Sequence, residues 1–210
     1  VGEFYSNMLN GEPLRVPVLR NRISNYIASN RLLFDEHGEL GEIRLPNSSK
    51  LFGMVEIFEY DPTSEPGQLN ILMQSDYEFV LTQSFSVRSR AASLAFLKRH
   101  KKQLADAKDA AQSQINDIQD AMDRLASGQF VMGEHHLTVR ISGDSVVEVR
   151  ENLGRAKAAL VETGIIATIV DGKATEAAFW SQFPGNRQFR PRPQPITSEN
   201  FLSFSSFHNY

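Results

Sequence analysis

The segment from Arg88 to Leu125 constrains the fold more than any other part of this sequence. Neither proline nor glycine occurs between Val87 and Gly128, and most of the residues there favour helices. Apolar side chains recur every seven residues in one unbroken phase, at Leu97, Leu104, Ala111, Ile118 and Leu125. This pattern predicts one continuous helix over about residues 88–127.

Such a helix would be long for the body of a compact domain. About 38 residues extend over a length on the order of 57 Å, whereas the expected radius of gyration of the chain is about 17 Å. We therefore expect part of the helix to protrude from the domain. Lys101 and Lys108 occupy positions that a buried seam fills with apolar residues, so we expect the middle of the helix to be its exposed part. A helical hairpin that turns near His100–Ala107 is the alternative.

Two surfaces of this segment are candidate contact sites. The basic run from Lys98 to Lys102, with Lys101 and Lys102 as contacts, suits anionic lipid or nucleic acid, although a solvated helix face is the simpler interpretation. The other surface suits a partner protein, although packing on the chain's own sheet is again simpler. It is an apolar strip formed by Ala111, Ile115, Ile118 and Met122.

The composition excludes several classes of chemistry. The 210 residues carry a formal net charge of −3 and no cysteine, which removes disulfides, thiol nucleophiles and thiolate metal sites. The lack of cysteine fits a reducing compartment. No apolar run approaches the ~20 residues of a membrane-spanning helix. Because the chain begins at Val1 and ends in apolar residues, we expect it to be a fragment of a longer protein.

Helix and strand patterns alternate along the chain and predict a mixed α+β fold. From the strand that ends at Tyr60 to the one that ends at Val170, the order is strand, helix, strand, long helix, strand, helix, strand. This order is typical of a ferredoxin-like layout with an insertion, and a mixed sheet with parallel pairs is equally compatible, with helices on one face. We predict a helix and hairpin lobe over residues 1–49, an α/β domain over 50–183 and a linker with an aromatic segment over 184–210.

The pair His135-His136 is the most conspicuous candidate for a metal site. Both lie on a predicted strand over Val131–Ser142, where neighbouring side chains point to opposite faces and therefore rarely share a metal. We interpret His135 as a core residue and His136 as a surface residue, and we expect no stoichiometric zinc.

Gly172-Lys173 resembles a phosphate loop only faintly. Ala174 follows the lysine where the motif needs serine or threonine, and Ala167 stands where the motif has its first glycine. We therefore predict no nucleotide site, no cofactor and no catalytic residue in this chain.

Residues 184–210 combine a proline-rich stretch with an aromatic one. Pro184–Pro195 is typical of an extended linker, and its arginines, Arg187, Arg190 and Arg192, could meet phosphate or carboxylate on a neighbouring domain. Four rings follow at a spacing of three residues. We expect them to dock on that neighbouring domain, so that their removal leaves the stability of this chain nearly unchanged; they are Phe201, Phe204, Phe207 and Tyr210.

Several motifs occur in an order that is characteristic of one family. They are Phe52-Gly-Met54 with Ile57-Phe-Glu-Tyr60 before Pro66-Gly67, Glu78–Phe85, Gly133–Leu137 with Asp144-Ser145, Ala178–Asn186, Arg190–Pro193, Ile196–Phe201 and Phe207–Tyr210. Together they resemble the VirB/TrbE/CagE-class ATPases of bacterial type IV secretion and conjugation machines. The resemblance runs from about Gly11 to Tyr210.

The resemblance implies a function that composition and spacing do not reveal. Family members carry an N-terminal region followed by a motor domain that binds ATP and Mg, and this chain resembles the later part of the N-terminal region. The implied role is a non-catalytic docking and assembly region at the cytoplasmic face of the inner membrane. The implied partners are the chain's own motor domain, further copies in a hexamer-type oligomer and inner-membrane secretion subunits. A module that contacts nucleic acid is the alternative.

Overall fold

The computed structural model describes residues 2–16, 20–35, 38–61, 63–106 and 112–205. The helices are α1 (Gly2–Asn10), α2 (Arg90–Asp106), α3 (Gln112–Ala126), α4 (Val146–Glu162), α5 (Lys173–Ser181) and α6 (Ser198–Ser203). The strands are β1 (Arg31–Phe34), β2 (Leu40–Arg44), β3 (Ser49–Glu59), β4 (Phe79–Val87), β5 (Met132–Gly143), β6 (Ile166–Ile169) and β7 (Gln194–Thr197). Short 3-10 turns lie at Ile23–Asn25, Asn70–Gln74 and Arg187–Phe189. The predicted α+β class is confirmed.

The strands pair in the order β1-β2-β3-β5-β4, with β6 beside β3 and β7 beside β5. Every pair with a defined register is antiparallel. The strands from β3 to β6 therefore follow the spatial order β6-β3-β5-β4, which is the ferredoxin-like order. The alternative of parallel pairs is wrong for these strands. The helix that this layout places after its first strand is reduced here to the 3-10 turn Asn70–Gln74.

The contacts divide the chain into two compact units. Unit 1 consists of residues 1–61, 71–82 and 137–192, and unit 2 consists of residues 62–70, 83–136 and 193–210. Strands β4 and β5 each contribute residues to both units. The domain boundaries predicted from the sequence stay predictions.

Unit 1 is built around β3, whose two faces are both covered by helices. Phe52 packs against Phe179 of α5, with ring centroids 5.0 Å apart. The next residue, Gly53, faces α4 so closely that an added Cβ would lie 2.5 Å from Leu153 Cδ1. Helices therefore lie on both faces of this part of the sheet, and the predicted single helical face is wrong.

The helix α4 begins just after a serine that is followed three residues later by a glutamate, the spacing of a capping box. Ser145 is its N-cap, and its Oγ accepts a hydrogen bond from the Glu148 backbone N–H at 3.2 Å. In return, Glu148 Oε2 accepts from the Asp144 backbone N–H at 3.0 Å. These bonds satisfy amides that the first turn leaves free, and they fix the start of the helix whose apolar stripe covers β3.

In unit 2, α2 and α3 pack against each other. Lys101 Nζ of α2 donates a hydrogen bond to Gln119 Oε1 of α3 at 2.8 Å, although one straight helix would hold the two residues about 27 Å apart. The predicted single helix is therefore wrong, and the hairpin alternative is correct in kind. The first helix of the pair, α2, remains helical to Asp106, beyond most of the predicted turn region. Residues 107–111 lie outside the described ranges.

The proline-rich stretch is more ordered than an extended linker. It forms the 3-10 turn Arg187–Phe189 and then enters β7, where Pro195 lies opposite Glu134 of β5. Thr197 ends the strand and caps α6, because its Oγ1 accepts from the Asn200 backbone N–H at 3.1 Å. Among the described residues, no helix has both the length and the apolar character needed to cross a membrane.

Candidate interaction site

Two of the predicted docking rings lie inside unit 2, in a cluster that we call the aromatic clasp (Phe85, His135, Phe201 and Phe204). Phe201 of α6 stacks on Phe85 of β4, with centroids 4.8 Å apart and planes 15° apart. Phe204 stacks on His135 of β5, with centroids 5.5 Å apart and planes 5° apart. Phe201 also meets His135 edge-on at 5.5 Å. The clasp thus joins β4, β5 and α6.

A hydrogen-bonded glutamine fixes the histidine of the aromatic clasp. Gln83 Nε2 donates to the Phe204 carbonyl at 2.8 Å, which turns Gln83 Oε1 toward His135 Nε2 at 3.1 Å. An amide oxygen can only accept a hydrogen bond. His135 must therefore carry its proton on Nε2 in this arrangement. Gln83 thus binds both the Phe204 backbone and the His135 ring on which the Phe204 side chain stacks.

Local sequence explains how the aromatic clasp closes. Gly133 of β5 lies under the Phe85 ring, and an added Cβ would come within 2.5 Å of Phe85 Cζ. A side chain at position 133 would therefore require the Phe85 ring to shift. Arg124 Nη2 binds Glu199 Oε1 at 2.6 Å, and the Ser198 N–H donates to the Val131 carbonyl at 2.8 Å. These contacts hold α6 in place beside the clasp.

The structure places one of these rings, that of Phe204, inside unit 2, and its docking on a neighbouring domain stays a prediction. Its side chain is only 2% exposed and belongs to the core of unit 2. Phe201 is half-buried in the same contacts. Phe207 and Tyr210 lie outside the described residues, so their predicted docking role stays a prediction.

The two neighbouring histidines differ from the prediction in one respect. His135 is buried, as predicted, but His136 is also buried, at 4% exposure, because both faces of β5 are covered. The described part of the chain contains no group of three His, Asp or Glu side chains placed to hold a metal ion. The expectation of no stoichiometric zinc stays a prediction.

The apolar strip of α3 is used largely within the α2–α3 pair. Ile118 and Met122 pack on a small core of unit 2 that contains Leu97 of α2, Leu125, Phe130 and Met132. Ile115 is half-buried and lies outside this core, and Ala111 lies outside the described residues. The partner role of the strip stays a prediction, but its two best-packed members already have neighbours in this chain.

We expect Ile118→Asp to loosen α2 and α3, because the substitution places a carboxylate against an apolar core. Hydrogen exchange of the amides of both helices should accelerate by at least about tenfold. Ile115→Asp is the matched control on the same helix, and it should change exchange far less. Unchanged protection in the Ile118 variant would show that this strip is free for a partner.

Three side chains of the basic run on α2 contact other residues of α2 and α3. The Arg99 guanidinium lies 6.0 Å from the Phe96 centroid, and the His100 ring stacks on Phe96 at 6.3 Å. Lys101 binds Gln119, as described above. Lys102, the other predicted contact of the run, is exposed.

The three arginines of the proline-rich stretch lie in unit 1, and two of them have contacts that hold them locally. Arg190 Nε donates to the Arg187 carbonyl at 2.9 Å. Arg192 lies over the Phe58 ring at 5.1 Å. Arg187 is exposed.

A buried arginine that the sequence analysis missed lies in the core of unit 1. Arg140 of β5 lies between Phe52 and Phe179, 6.0 and 5.8 Å from their centroids. Its Nη1 donates to the Met8 carbonyl of α1 at 2.8 Å. Burial lowers the pKa of Arg140 to about 10, and the charge of Glu78 opposes this shift. The residue therefore remains a cation near neutral pH.

The other shifted groups have structural causes. A hydrogen bond from Arg155, at 2.6 Å, lowers the pKa of Asp76, and hydrogen bonds from Arg44 and Ser49 lower the pKa of Glu42. Burial raises the pKa of Tyr60 and that of Tyr77. A polar cleft of about 410 Å³ contains Asp76 and Arg155, together with the Lys50–Glu78 ion pair. These four charges form two ion pairs, Arg155 with Asp76 and Lys50 with Glu78, each at 2.6 Å.

Comparison with known proteins shows the family to which this chain belongs. A family described as the CagE, TrbE, VirB family, component of type IV transporter system, matches residues 1–192. The chain belongs to the CagE/TrbE/VirB family. This confirms the resemblance found in the sequence motifs. The family match ends just before β7, so the clasp residues of α6 lie beyond it.

Individual relatives match almost the whole of this chain, including α6. The type IV secretion system protein PtlC homolog of Bordetella bronchiseptica is 39% identical over 199 residues, which cover 95% of this chain and 24% of the relative. The type IV secretion system proteins virB4 of Brucella suis and Bartonella quintana are 38% and 36% identical over 208 residues. They cover 99% of this chain, which spans 25% and 26% of their lengths. The chain thus spans about a quarter of the relatives that it matches.

Proposed function

We propose that this chain is a non-catalytic docking and assembly region of a type IV secretion ATPase. The relatives are type IV secretion system proteins about four times as long as this chain. In this proposal the remaining three quarters contain the motor that binds ATP and Mg, and the region described here joins the motor to inner-membrane secretion subunits and to further copies. Its location is the cytoplasmic face of the inner membrane.

One observation carries the non-catalytic part of the proposal. The single Gly-Lys pair that resembles a phosphate loop lies between β6 and α5, where only Val170, Asp171 and Gly172 connect strand to helix. A phosphate loop needs a longer glycine-rich turn whose free amides surround the phosphates. Here the Val170 N–H donates to the Met54 carbonyl and the Gly172 N–H to the Gly38 carbonyl. These two amides are occupied by bonds within the chain, which supports the proposal that the connection is not a phosphate loop.

Calorimetry with Mg-ATP tests the non-catalytic assignment. We expect no binding to the 210-residue chain at micromolar nucleotide and no hydrolysis above background. The full-length protein is the matched comparison, and it should bind and hydrolyse ATP. Micromolar binding to the short chain would contradict the assignment.

Copurification tests the docking role. The full-length protein, with and without residues 1–192, is purified from detergent extracts of cells that express tagged inner-membrane secretion subunits. We expect the subunits to copurify with the intact protein and to be lost from the truncated one. Equal recovery by both would show that docking belongs to another part of the protein.

A further inference from the structure

The connection between α1 and β1 has an unusual charge pattern. From Pro13 to Phe34 the sequence contains no aspartate or glutamate, although the whole chain has 25 acidic residues and a net charge of −3. The same stretch contains four arginines, Arg15, Arg20, Arg22 and Arg31. Long connections within a compact unit are uncommon and usually serve a function. This basic stretch therefore needs an explanation beyond chain connection.

The described tip of this connection exposes apolar side chains beside the arginines. Ile23 is 54% exposed and Tyr26 is 52% exposed, in and directly after the 3-10 turn Ile23–Asn25. Arg20 and Arg22 are exposed, and within the described residues no acidic side chain lies at ion-pair distance from either. We call Arg20, Arg22, Ile23 and Tyr26 the basic tip. Its exposure leaves both charge and apolar area available for a contact.

A buried asparagine holds the base of the connection. Asn10, at the end of α1, is fully buried, and its Oδ1 accepts from the Ser29 and Asn30 backbone N–H groups at 2.8 and 3.2 Å. Its Nδ2 donates to the Ile27 carbonyl at 2.7 Å, and Asn30 Nδ2 donates to the Asn10 carbonyl at 2.7 Å. These bonds fix the chain immediately after Tyr26. The basic tip is thus presented from a fixed base.

We propose that the basic tip binds the surface of a membrane that contains anionic lipid. Arginine pairs with lipid phosphate, tyrosine favours the headgroup layer, and an exposed isoleucine gains free energy by entering the acyl boundary. A shallow turn with all its described side chains exposed suits this layer better than the pocket of a protein partner. The inference goes beyond the proposed function, on which it rests only for the location at the inner membrane.

Vesicle sedimentation with the purified 210-residue chain tests the inference. We expect binding to vesicles of phosphatidylcholine with phosphatidylglycerol and much weaker binding to phosphatidylcholine alone. Arg20→Gln with Arg22→Gln should weaken binding roughly thirty-fold, and Ile23→Ser with Tyr26→Ser by at least about tenfold. The matched control is Arg99→Gln with Lys102→Gln on α2, which should leave binding unchanged.

A second measurement uses the absence of cysteine. Ile23→Cys, labelled with an environment-sensitive fluorophore, should shift its emission to shorter wavelength when anionic vesicles are added. Val147→Cys on α4, at a side chain that is 75% exposed, is the labelled control and should not respond.

Three results would overturn the inference. The first is no binding to any vesicle, which would leave the basic tip as a surface for an acidic protein. The second is loss of binding in the α2 variant but not in the tip variants. The third is an equal emission shift at both labels. None of these results touches the docking proposal, because docking is measured by copurification of protein subunits from detergent extracts.

Discussion

Phe204→Ala should destabilise this chain by about 3–5 kcal/mol. The Phe204 ring is 2% exposed, stacks on His135 and lies next to a backbone carbonyl that Gln83 binds. Its removal leaves a cavity between α6 and β5 and takes away the ring that stacks on His135. Since domains are stable by about 5–15 kcal/mol, the loss is a large share of the total. Thermal unfolding followed by circular dichroism should show a melting temperature lower by about 10 °C.

The matched control for Phe204 lies two residues earlier on α6. Leu202 is 55% exposed, so Leu202→Ala should change the free energy of unfolding by less than about 0.5 kcal/mol. If Phe204→Ala melts with the wild-type chain, the ring does not stabilise unit 2. That result would return Phe204 to the role that the sequence alone suggested, a contact for a neighbouring domain.

Elements with local signals were predictable from the sequence. The capping box at Ser145 and Glu148 specifies the start of α4 through bonds between residues three apart. The hairpin of β1 and β2 follows from two short apolar runs around a glycine-containing turn, and the structure pairs Leu33 with Glu42 as part of it. Such features depend on few neighbours along the chain, so one sequence suffices to find them.

The direction of α3 was not predictable from its apolar stripe. A heptad phase describes which face of a helix is apolar, and two helices that fold back on each other bury the same faces as one helix against a partner. Leu97 and Leu125 share that phase and meet in one core because α2 and α3 pair. The lysine at position 101, which interrupts the stripe, indicated only that the middle of the segment is exposed, and it did not separate one helix from a hairpin.

Two rings of the aromatic clasp were identifiable from the sequence, but their partners were not. The regular spacing of Phe201 and Phe204 identified the rings, but their partners lie far away in sequence, with Gln83 bonded across 121 positions to residue 204. Only the fold brings β4, β5 and α6 together. Gly133 and Phe85 both occur in the family-like motifs, yet nothing in either motif states that one lies beneath the other.

Arg140 had no sequence signal, because the alternation along β5 suggested one buried and one exposed face. The structure buries both faces, and Thr138, Arg140 and Ser142 are all buried. An arginine in a buried strand is uncommon unless it has partners. Here the partners are two phenylalanine faces and a helix-terminal carbonyl, none of which is acidic and none of which is near in sequence.

Arg140→Ala should therefore destabilise unit 1 by about 3–5 kcal/mol, through the cavity and through the Met8 carbonyl that loses its donor. Arg140→Met fills most of the space without a buried charge and should cost far less, about 1 kcal/mol or below. The control is Arg155→Ala, which removes an exposed arginine that binds Asp76 and lies 5.2 Å from the Tyr77 centroid. It should cost less than about 1 kcal/mol. Urea unfolding of the three variants gives the comparison.

The pH dependence separates a buried cation from a neutral packing residue at position 140. The folded pKa of about 10 lies below the ordinary value of an arginine, so between these two pH values the unfolded chain binds more protons at this group. Stability from this group therefore rises with pH across that window and is constant below pH 10. The difference in free energy of unfolding between wild type and Arg140→Met should accordingly be flat from about pH 6 to 9. A difference that changes steadily over that range would show that Arg140 already loses its proton near neutral pH, and that its partners in the core tolerate no charge.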